Sequence, residues 1–461
     1  FIATAANLNS KNNIFSSVGG AYAFYNNSPD AIVNGDNNNF FNNAAIPLAF
    51  FKGNKPNLAS LQSETKQEAK SISIDPLFAS NIDLHTLNPG LDSKGDTLNT
   101  VVVDYDGEKR NPRNPDIGAD EFILNAIDLD IIDIKPVVFN LGNNVISTEI
   151  ANSGFNNLNG STVSLSYQVN SGVWSTPETF TANNLNLSYN TQKFNFTNQF
   201  NAGNSVNTNY SICVRINPPG LAGDAVASNN QLCKDICVGL APGTYSVGPG
   251  KTYSTIAAAA AAISCGVAGP VTFEIESGIY NEKVSVGNLK NTSVVNKVIF
   301  KSKTNNASDV IITSGNNLTA TDFYTFQLNG ASFITLDRLT INNTANGFIE
   351  SGAGVHFTNN AKKNTISNCV INVNGIDSIS SNFVGIASSK DNEINLEGNS
   401  ASENLIENNT INGGYAGIRL FGKSAFERDK GNVIRNNQIL NSFNNAVLTK
   451  FVDLKEVSNN T

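Results

Sequence analysis

Four aspartates between positions 104 and 120 carry side chains that could hold a metal ion. Carboxylate oxygens are the ligands that Ca²⁺ prefers, and the first two precede Gly107 as at the start of a calcium loop. The full twelve-residue spacing with a terminal Glu is missing. A second interpretation therefore stays open, in which Arg110 or Arg113 pairs with these aspartates or with Glu121 in a structural cap. The predicted calcium ligands are Asp104, Asp106, Asp116 and Asp120.

A second group has the residue types for polysaccharide cleavage or epimerisation. That chemistry needs carboxylates and a basic side chain that converge on one face. A charged insertion loop that is simply solvated is the other interpretation. His85 and His356 fall in different predicted modules, and the single Trp174 offers little for sugar stacking, so we predict no catalytic residue and no enzyme. The group comprises Arg419, Glu427, Arg428, Asp429 and Lys430.

Five cysteines bear on redox chemistry and metal binding. Cys213 and Cys233 lie on neighbouring predicted strands, so they either form a disulfide or act as two small buried hydrophobes. Because the total is odd, at least one thiol is free or paired outside the chain. No CxxC pair is present and histidines are few, so a zinc site is not expected.

The composition of the 461 residues favours β-structure. Charged residues make up 15% and hydrophobic residues 40%, while Asn, Ser, Thr and Gly supply a polar surface suited to tight turns. The net charge is −8 without a basic stripe, so nucleic acid is not an expected partner. The longest apolar run, 256–263, is mostly Ala and too short to span a bilayer.

A degenerate eight-residue repeat is the clearest structural signal. Its four copies start 30, 40 and 28 residues apart (364−334, 404−364, 432−404), as expected for coils whose loops differ in length. The third and eighth residues are apolar in every copy, and the fifth is Asn in the last three. The copies are Ile334–Ile341, Asn364–Ile371, Asn404–Ile411 and Asn432–Ile439.

Stacking of these octads predicts a right-handed parallel β-helix. Equivalent strands of successive coils lie about 4.8 Å apart, so the apolar positions build an inner column and Asn residues at the bends can form hydrogen-bonded ladders. Glu407 and Arg435 share one outward position in consecutive copies and should attract each other. A leucine-rich solenoid fits less well because its Leu-x-x-Leu-x-Leu spacing is absent.

The chain is therefore predicted to be all-β, with parallel β-helix modules on either side of an Ig-like β-sandwich. Residues 1–123 are interpreted as the C-terminal part of one β-helix with its cap. Residues 124–240 alternate at period two and predict a sandwich of about seven strands. Residues 241–461 are interpreted as the N-terminal part of a second β-helix.

Two helices are predicted within these modules. Ser254 or Thr255 can cap a helix over about 253–264, which the alanines favour and which would cover the open end of the second stack. A second, short helix is expected in the segment 57–66.

The motifs at the module ends resemble those of secreted β-helix proteins of Bacteroidetes. The opening motifs are Thr244-Tyr-Ser-Val247, Tyr253-Ser-Thr-Ile256 and Phe333-Ile-Thr-Leu-Asp337. The closing motifs are Gly19-Gly-Ala-Tyr22, Asp75-Pro-Leu-Phe78, Asp83-Leu-His85 and Asp116-Ile-Gly-Ala-Asp-Glu-Phe122. The middle module is similar to the adhesion-type Ig-like (CARDB) spacer through Ile150-Ala-Asn-Ser-Gly154 and Ser228-Asn-Asn-Gln231.

The resemblance implies export by the type IX secretion system and a role among giant adhesins, including those of gliding bacteria. On that basis Thr97 and Ser378, each preceded by Asp, resemble O-glycosylation acceptors of this phylum. A chain that begins and ends within a coil is expected to be an excerpt of a longer array.

We therefore expect a segment of a large secreted or outer-surface adhesin that acts as stalk and attachment scaffold. The expected partners are surface glycans or abiotic surfaces, other modules of the same chain and the type IX secretion machinery, without a membrane span. No cofactor is expected apart from calcium. Two alternatives stay open: a polysaccharide lyase or epimerase, and a glycan-binding module without turnover.

Overall fold

The computed structural model describes most of the chain. The described residues are 8–27, 32–43, 46–78, 80, 82–86, 88–98, 100–122, 127–154, 156–186, 190–217, 221–224, 226–314, 323–344, 351–373, 380–390, 393–398 and 401–461. They form an all-β, mostly parallel β-solenoid, which confirms the predicted fold class at this level. Unit 1 comprises Phe1–Lys135, Val145–Asn198 and Ser211–Asp235, and unit 2 comprises Pro136–Asn144, Gln199–Tyr210 and Ile236–Thr461.

Unit 1 begins with short strands and one helix. The strands are β1 (Leu8–Lys11), β2 (Ile14–Ser17), β3 (Phe24–Asn26), β4 (Ile32–Asp36), β5 (Asn39–Asn42), β6 (Ala49–Phe51) and β7 (Asn54–Lys55). Three parallel pairs, β1–β4, β2–β5 and β3–β6, form its coils. Helix α1 (Leu58–Thr65) begins at Asn57, whose side chain accepts from the Ser60 amide. The predicted short helix is therefore confirmed.

Antiparallel strands follow, and they divide between the two units. Their bounds are β8 (Leu129–Lys135), β9 (Val138–Phe139), β10 (Asn143–Asn144), β11 (Ser147–Asn152), β12 (Thr162–Val169), β13 (Glu178–Thr181), β14 (Thr191–Asn195), β15 (Phe200–Asn201), β16 (Asn209–Ile216) and β17 (Gln231–Val238). In unit 1 one sheet has the order β14-β11-β8, and β12 pairs antiparallel with both β13 and β16.

Unit 2 contains three parallel sheets that repeat coil after coil. The first is β18 (Gly243–Val247), β19 (Val271–Ile275), β22 (Val298–Ser302), β25 (Ile334–Asp337), β29 (Thr365–Ser367), β33 (Leu405–Glu407), β36 (Asp429–Arg435) and β39 (Val452–Ser458). The second is β20 (Gly278–Asn281), β23 (Val310–Thr313), β26 (Thr340–Asn343), β30 (Val370–Val373), β34 (Thr410–Gly413) and β37 (Gln438–Leu440). The third is β21 (Val284–Val286), β24 (Tyr324–Asn329), β27 (Gly352–Thr358), β31 (Phe383–Ser388), β35 (Ala416–Phe421) and β38 (Asn445–Lys450). A two-stranded pair joins β28 (Ala361–Lys362) and β32 (Ala401–Ser402).

The register of these sheets places each octad directly over the next. In the first sheet one column runs through Leu336, Ile366, Ile406 and Ile434. All four side chains are buried in one core cluster. The eighth residues of the octads form a second column in the neighbouring sheet. The predicted inner columns are confirmed.

Glycines allow the third sheet to approach that second column. A Cβ on Gly385 would lie 2.4 Å from the Ile411 methyl Cγ2 and 2.5 Å from the carbonyl oxygen of Gly417. Gly354 and Gly417 meet equivalent obstructions in the coils on either side. Any side chain at these positions would force the two sheets apart.

The asparagine ladder is present, but at positions other than the predicted one. The fifth residues, such as Asn408, adopt a left-handed backbone (φ 56) that turns the chain. The ladder uses the first residues instead: the Asn404 Oδ1 accepts from the Asn364 amide (2.9 Å) and the Asn432 Oδ1 accepts from the Asn404 amide (2.9 Å). A second ladder joins Asn409 to Asn437 at the sixth position.

A short helix lies at the first coil of unit 2. Helix α2 (Ile256–Ala262) begins after Thr255, whose hydroxyl accepts from the Ala258 amide (3.0 Å). Its buried residues Ile256 and Ala259 join the core cluster, and the helix packs on β21. A helix is therefore present where one was predicted, and it is shorter than the expected span of 253–264.

Candidate functional site

Residues 104–122 of unit 1 form a turn region, called here the closing turn. Asp104, one of the predicted calcium residues, holds it together by accepting hydrogen bonds from backbone amides. Its Oδ1 accepts from the amides of Asp106 (3.0 Å) and Glu108 (2.8 Å), and its Oδ2 accepts from the amide of Glu121 (3.2 Å). The Tyr105 amide also donates to the Ala119 carbonyl (2.9 Å). The buried carboxylate therefore fastens the turn at 104–108 to the segment at 116–121.

A buried pair of acids lies beneath this turn. Asp116 accepts from the amides of Ser93 (2.6 Å) and Phe122 (2.9 Å). Glu121 accepts from the Arg110 Nε (3.1 Å) in a buried ion pair. Burial, with the nearby Glu121 charge, raises the pKa of Asp116 to about 8. Arg110 thus pairs with one of the acids, as in the capping interpretation, and a calcium site made of all four predicted aspartates stays a prediction.

Two of the four predicted calcium residues lie beside a histidine. The His85 Nε2 is 2.6 Å from the Asp106 Oδ2 and 4.0 Å from the Asp120 Oδ1, and the His85 Nδ1 contacts the Asp83 carboxylate. The His85 ring donates to the Asp83 and Asp106 carboxylates. These hydrogen bonds, that to Asp83 first and then that to Asp106, raise the pKa of His85 to about 9. Sequence reasoning missed this histidine, although Asp83-Leu-His85 already places an acid two residues before the ring.

Unit 1 also contains a cavity of about 590 Å³. The sequence neighbours of the three residues, Leu84, Tyr105 and Ala119, all line it. Phe15, Phe78 and Val103 add apolar walls, and the charged lining residues are Lys11, Asp96, Asp104 and Arg110. The cavity can therefore accept a small ligand that has both apolar and polar parts.

Unit 2 carries a groove of about 530 Å³ whose lining is rich in amides. The Asn359 Nδ2 donates to the Asn329 Oδ1 (2.7 Å) in the coil before it. Asn359 and Asn360 adopt left-handed backbone conformations, which form the turn there. The lining comprises Gly287, Asn288, Asn329, Gly330, Ser332, Asn359, Asn360 and Lys362. Side-chain amides both donate and accept hydrogen bonds, so the groove suits a hydroxyl-rich ligand.

The structure separates the acids and bases of the predicted polysaccharide cluster. The Arg419 guanidinium is only 1% exposed and donates to the carbonyls of Ser381 and Ile394. The buried Asp429 carboxylate accepts from the Ala401 amide (2.9 Å). On the surface Glu427 pairs with Lys423. Arg428 pairs with Asp453, and Lys430 is exposed.

The second histidine belongs to the interior of unit 2. His356 is fully buried, its Nδ1 lies 3.2 Å from the Gln327 Nε2, and its Nε2 lies 2.9 Å from the Ser389 Oγ. Because the Gln327 amide nitrogen donates, the Nε2–H must donate to Ser389. Burial first, and then the Arg419 charge, lower the pKa of His356 to about 3. The ring is therefore a neutral structural element.

The cysteines form two disulfides, Cys213–Cys233 in unit 1 and Cys237–Cys265 in unit 2. The second pair was missed because its members fall in different predicted modules. Cys369 is a buried free thiol that takes the sixth octad position, and burial raises its pKa to about 12. In that coil it replaces a ladder asparagine, and its amide donates to the Asn409 Oδ1 (2.9 Å).

The other predicted residues lie apart from these sites. The exposed Thr97 donates through its hydroxyl to the Arg113 carbonyl (2.8 Å), and Ser378 lies outside the described residues. The Arg215 guanidinium stacks over the Trp174 ring at 4.1 Å, so that face of the ring is covered.

Comparisons with known proteins identify no family. No family model matches the chain, and no curated protein matches. Among solved structures, a domain of a presumed cell surface protein from Methanosarcina acetivorans is similar at 21% identity, over 25% of this chain and 93% of that one, with a TM-score of 0.21. Within the described residues, none of the helices has the length and hydrophobicity needed to cross a bilayer.

Proposed function

We propose that this chain is a stretch of a large secreted or outer-surface adhesin in which β-solenoids serve as stalk and attachment scaffold. The observation that carries the proposal is the eight-stranded parallel sheet of unit 2, which runs from β18 to β39 in register. Each coil is held to the next by backbone hydrogen bonds and by stacked side chains, so a long stack resists bending.

The amide-rich groove supplies the attachment surface in this proposal. Amides and Lys362 offer donors and acceptors to sugar hydroxyls, and the turn that carries them recurs in successive coils. Weak contacts that recur along an array add up to strong attachment. Surface glycans are therefore the proposed partners, which also covers the alternative of glycan binding without turnover.

The antiparallel strands between 129 and 238 support the further proposal of an Ig-like, CARDB-type spacer. Their pairing, and the disulfide between Cys213 and Cys233 on β16 and β17, fit such a module. Type IX export, a gliding-type role and a source in Bacteroidetes rest on the motif resemblance alone. No cofactor is proposed for attachment itself.

A polysaccharide enzyme is the competing proposal. It is disfavoured by the separation of the charged cluster, since Arg419 and Asp429 serve interior hydrogen bonds while Glu427 pairs with Lys423. Acid–base catalysis needs such groups within hydrogen-bond reach of one substrate.

Attachment can be tested with purified chain on an array of bacterial and plant polysaccharides, read for binding and for released reducing ends or unsaturated uronates. We expect saturable binding to some glycans, loss of that binding in Asn359→Ala/Lys362→Ala, and no turnover. The control Asn441→Ala removes an exposed asparagine outside the groove and should bind normally. Turnover that disappears in Glu427→Gln or Asp429→Asn would establish the enzyme instead.

A further inference from the structure

The group formed by His85, Asp106 and Asp120 has the composition of a transition-metal site. Their ligand atoms all lie within 4.8 Å of one another. An imidazole nitrogen with two carboxylate oxygens is a set that Zn²⁺-class ions accept at about 2.0–2.2 Å. Ligands at that radius lie about 3 Å apart, so a contraction of roughly 1 Å at Asp120 would bring the three ligand atoms to that spacing.

The fourth residue of the group, Asp83, contacts the opposite ring nitrogen of His85. When Nε2 gives up its proton to solvent and binds a metal, Nδ1 keeps its own proton and donates it to a carboxylate, an arrangement that fixes the ring and strengthens the ligand. Asp83 is in place for this role because its amide donates to the Ser80 Oγ (2.9 Å) and its carbonyl accepts from the Ser80 amide (3.0 Å).

The protein holds the two carboxylate ligands in place independently of any ion. Asp104 binds the amide of Asp106 and also that of Glu121, the residue after Asp120. Asp104 therefore fastens the two loops to each other. A site whose ligands are held in this way binds a metal at lower entropic cost.

We propose that His85, Asp106 and Asp120 bind a divalent transition-metal ion of the zinc class, with Asp83 as the positioning residue behind the imidazole. The ion would clip the hairpin that carries His85 to the closing turn of unit 1. The proposal differs from the predicted calcium site in replacing Asp104 and Asp116 with a nitrogen ligand.

The test is a calorimetric titration of the chelator-treated full chain with Zn²⁺, and in parallel with Ca²⁺. We expect one Zn²⁺ per chain and weaker Ca²⁺ binding. His85→Ala, Asp106→Asn and Asp83→Asn should each raise the Kd for Zn²⁺ by about tenfold or more. Asp83→Asn acts through loss of the ring's partner. Trp174 fluorescence during heating reports whether each variant remains folded.

Glu393→Gln removes an exposed acid elsewhere, which pairs across a short turn with Lys390, and should leave the Kd unchanged. Absence of Zn²⁺ binding by the folded chain would overturn the proposal. Zn²⁺ affinity that survives His85→Ala would also overturn it. Calcium binding that is tighter than zinc binding and insensitive to His85→Ala would replace it with the all-oxygen site.

Discussion

Unit 2 and the closing part of unit 1 stabilise parallel strands in different ways. In unit 2, like residues stack through many coils, as in the column from Leu336 to Ile434. In unit 1, a small aromatic core around Phe24 and Phe40 is joined by a closing turn that buries Asp104, Asp116, Glu121 and Arg110. In the repeated coils the stabilising free energy is spread over many similar contacts, whereas in the closing turn it depends on individual buried charges.

The largest loss of stability is expected from a substitution that removes the one ion-pair partner of a buried charge. Arg110→Met should lower the free energy of unfolding of unit 1 by about 3–5 kcal/mol, because it leaves Glu121 buried without its cation. Trp174 fluorescence during urea unfolding measures this, since Trp174 lies in unit 1.

The matched control for Arg110→Met is Lys423→Met, which removes a cation from the exposed pair with Glu427 and, because it lies in unit 2, is followed by hydrogen exchange of peptides from 401–440. Such pairs contribute about 0–1 kcal/mol. Equal effects of the two variants would contradict the distinction between the closing turn and the repeated coils.

Removal of one member of the inner column tests the repeated region. Ile406→Ala should cost unit 2 about 2–5 kcal/mol through lost burial and the cavity left behind. Leu405→Ala makes the same kind of change at the next residue, which is only partly buried, and should cost less. Hydrogen exchange of peptides from 401–440 would report both; equal protection in the two variants would show that the column is not the stabilising feature.

Acid should weaken unit 2 through His356. The folded protein keeps this ring neutral down to pH about 3, whereas an unfolded chain protonates it near 6.5. Unfolding therefore takes up a proton between these values, and the stability that is present above pH 6.5 declines as the pH falls, by about 2 kcal/mol at pH 5.

The variant His356→Asn should flatten this dependence when unfolding is followed by hydrogen exchange between pH 7 and 4. His85→Gln changes the other histidine, which is exposed and lies in unit 1, and should leave the acid dependence of unit 2 unchanged. An unaltered slope in His356→Asn would show that another group senses the pH.

The last comparison concerns the asparagine ladder. Asn404→Ala should cost about 1–3 kcal/mol, because the Asn364 amide and the Ala361 carbonyl lose their partner inside unit 2. Asn408→Gly keeps the left-handed turn at the neighbouring bend and should change the free energy of unfolding by less than about 0.5 kcal/mol. The free energies of unfolding of both variants, measured by urea titration, distinguish the contribution of the ladder from that of the bend.

The amino-acid sequence by itself determined the repeated architecture. Octads with apolar third and eighth residues predict stacking because a parallel coil places each residue over its equivalent. Ile366 could therefore be expected over Leu336, and Glu407 beside Arg435. Both are observed, with the Glu407–Arg435 ion pair at 2.8 Å. The helix after Thr255 was also predictable, since capping and alanine propensity are local properties.

Only the tertiary structure decided which asparagines form ladders and which acids meet His85. The backbone bend sends the fifth residue outward and the first and sixth inward, a direction that the residue type does not encode. His85 lies 21 residues from Asp106 and 35 from Asp120 (106−85 and 120−85), and two loops of irregular chain bring them together. Cys237 and Cys265 likewise meet only through folding, because segments outside the repeat carry no register from which a contact could be inferred.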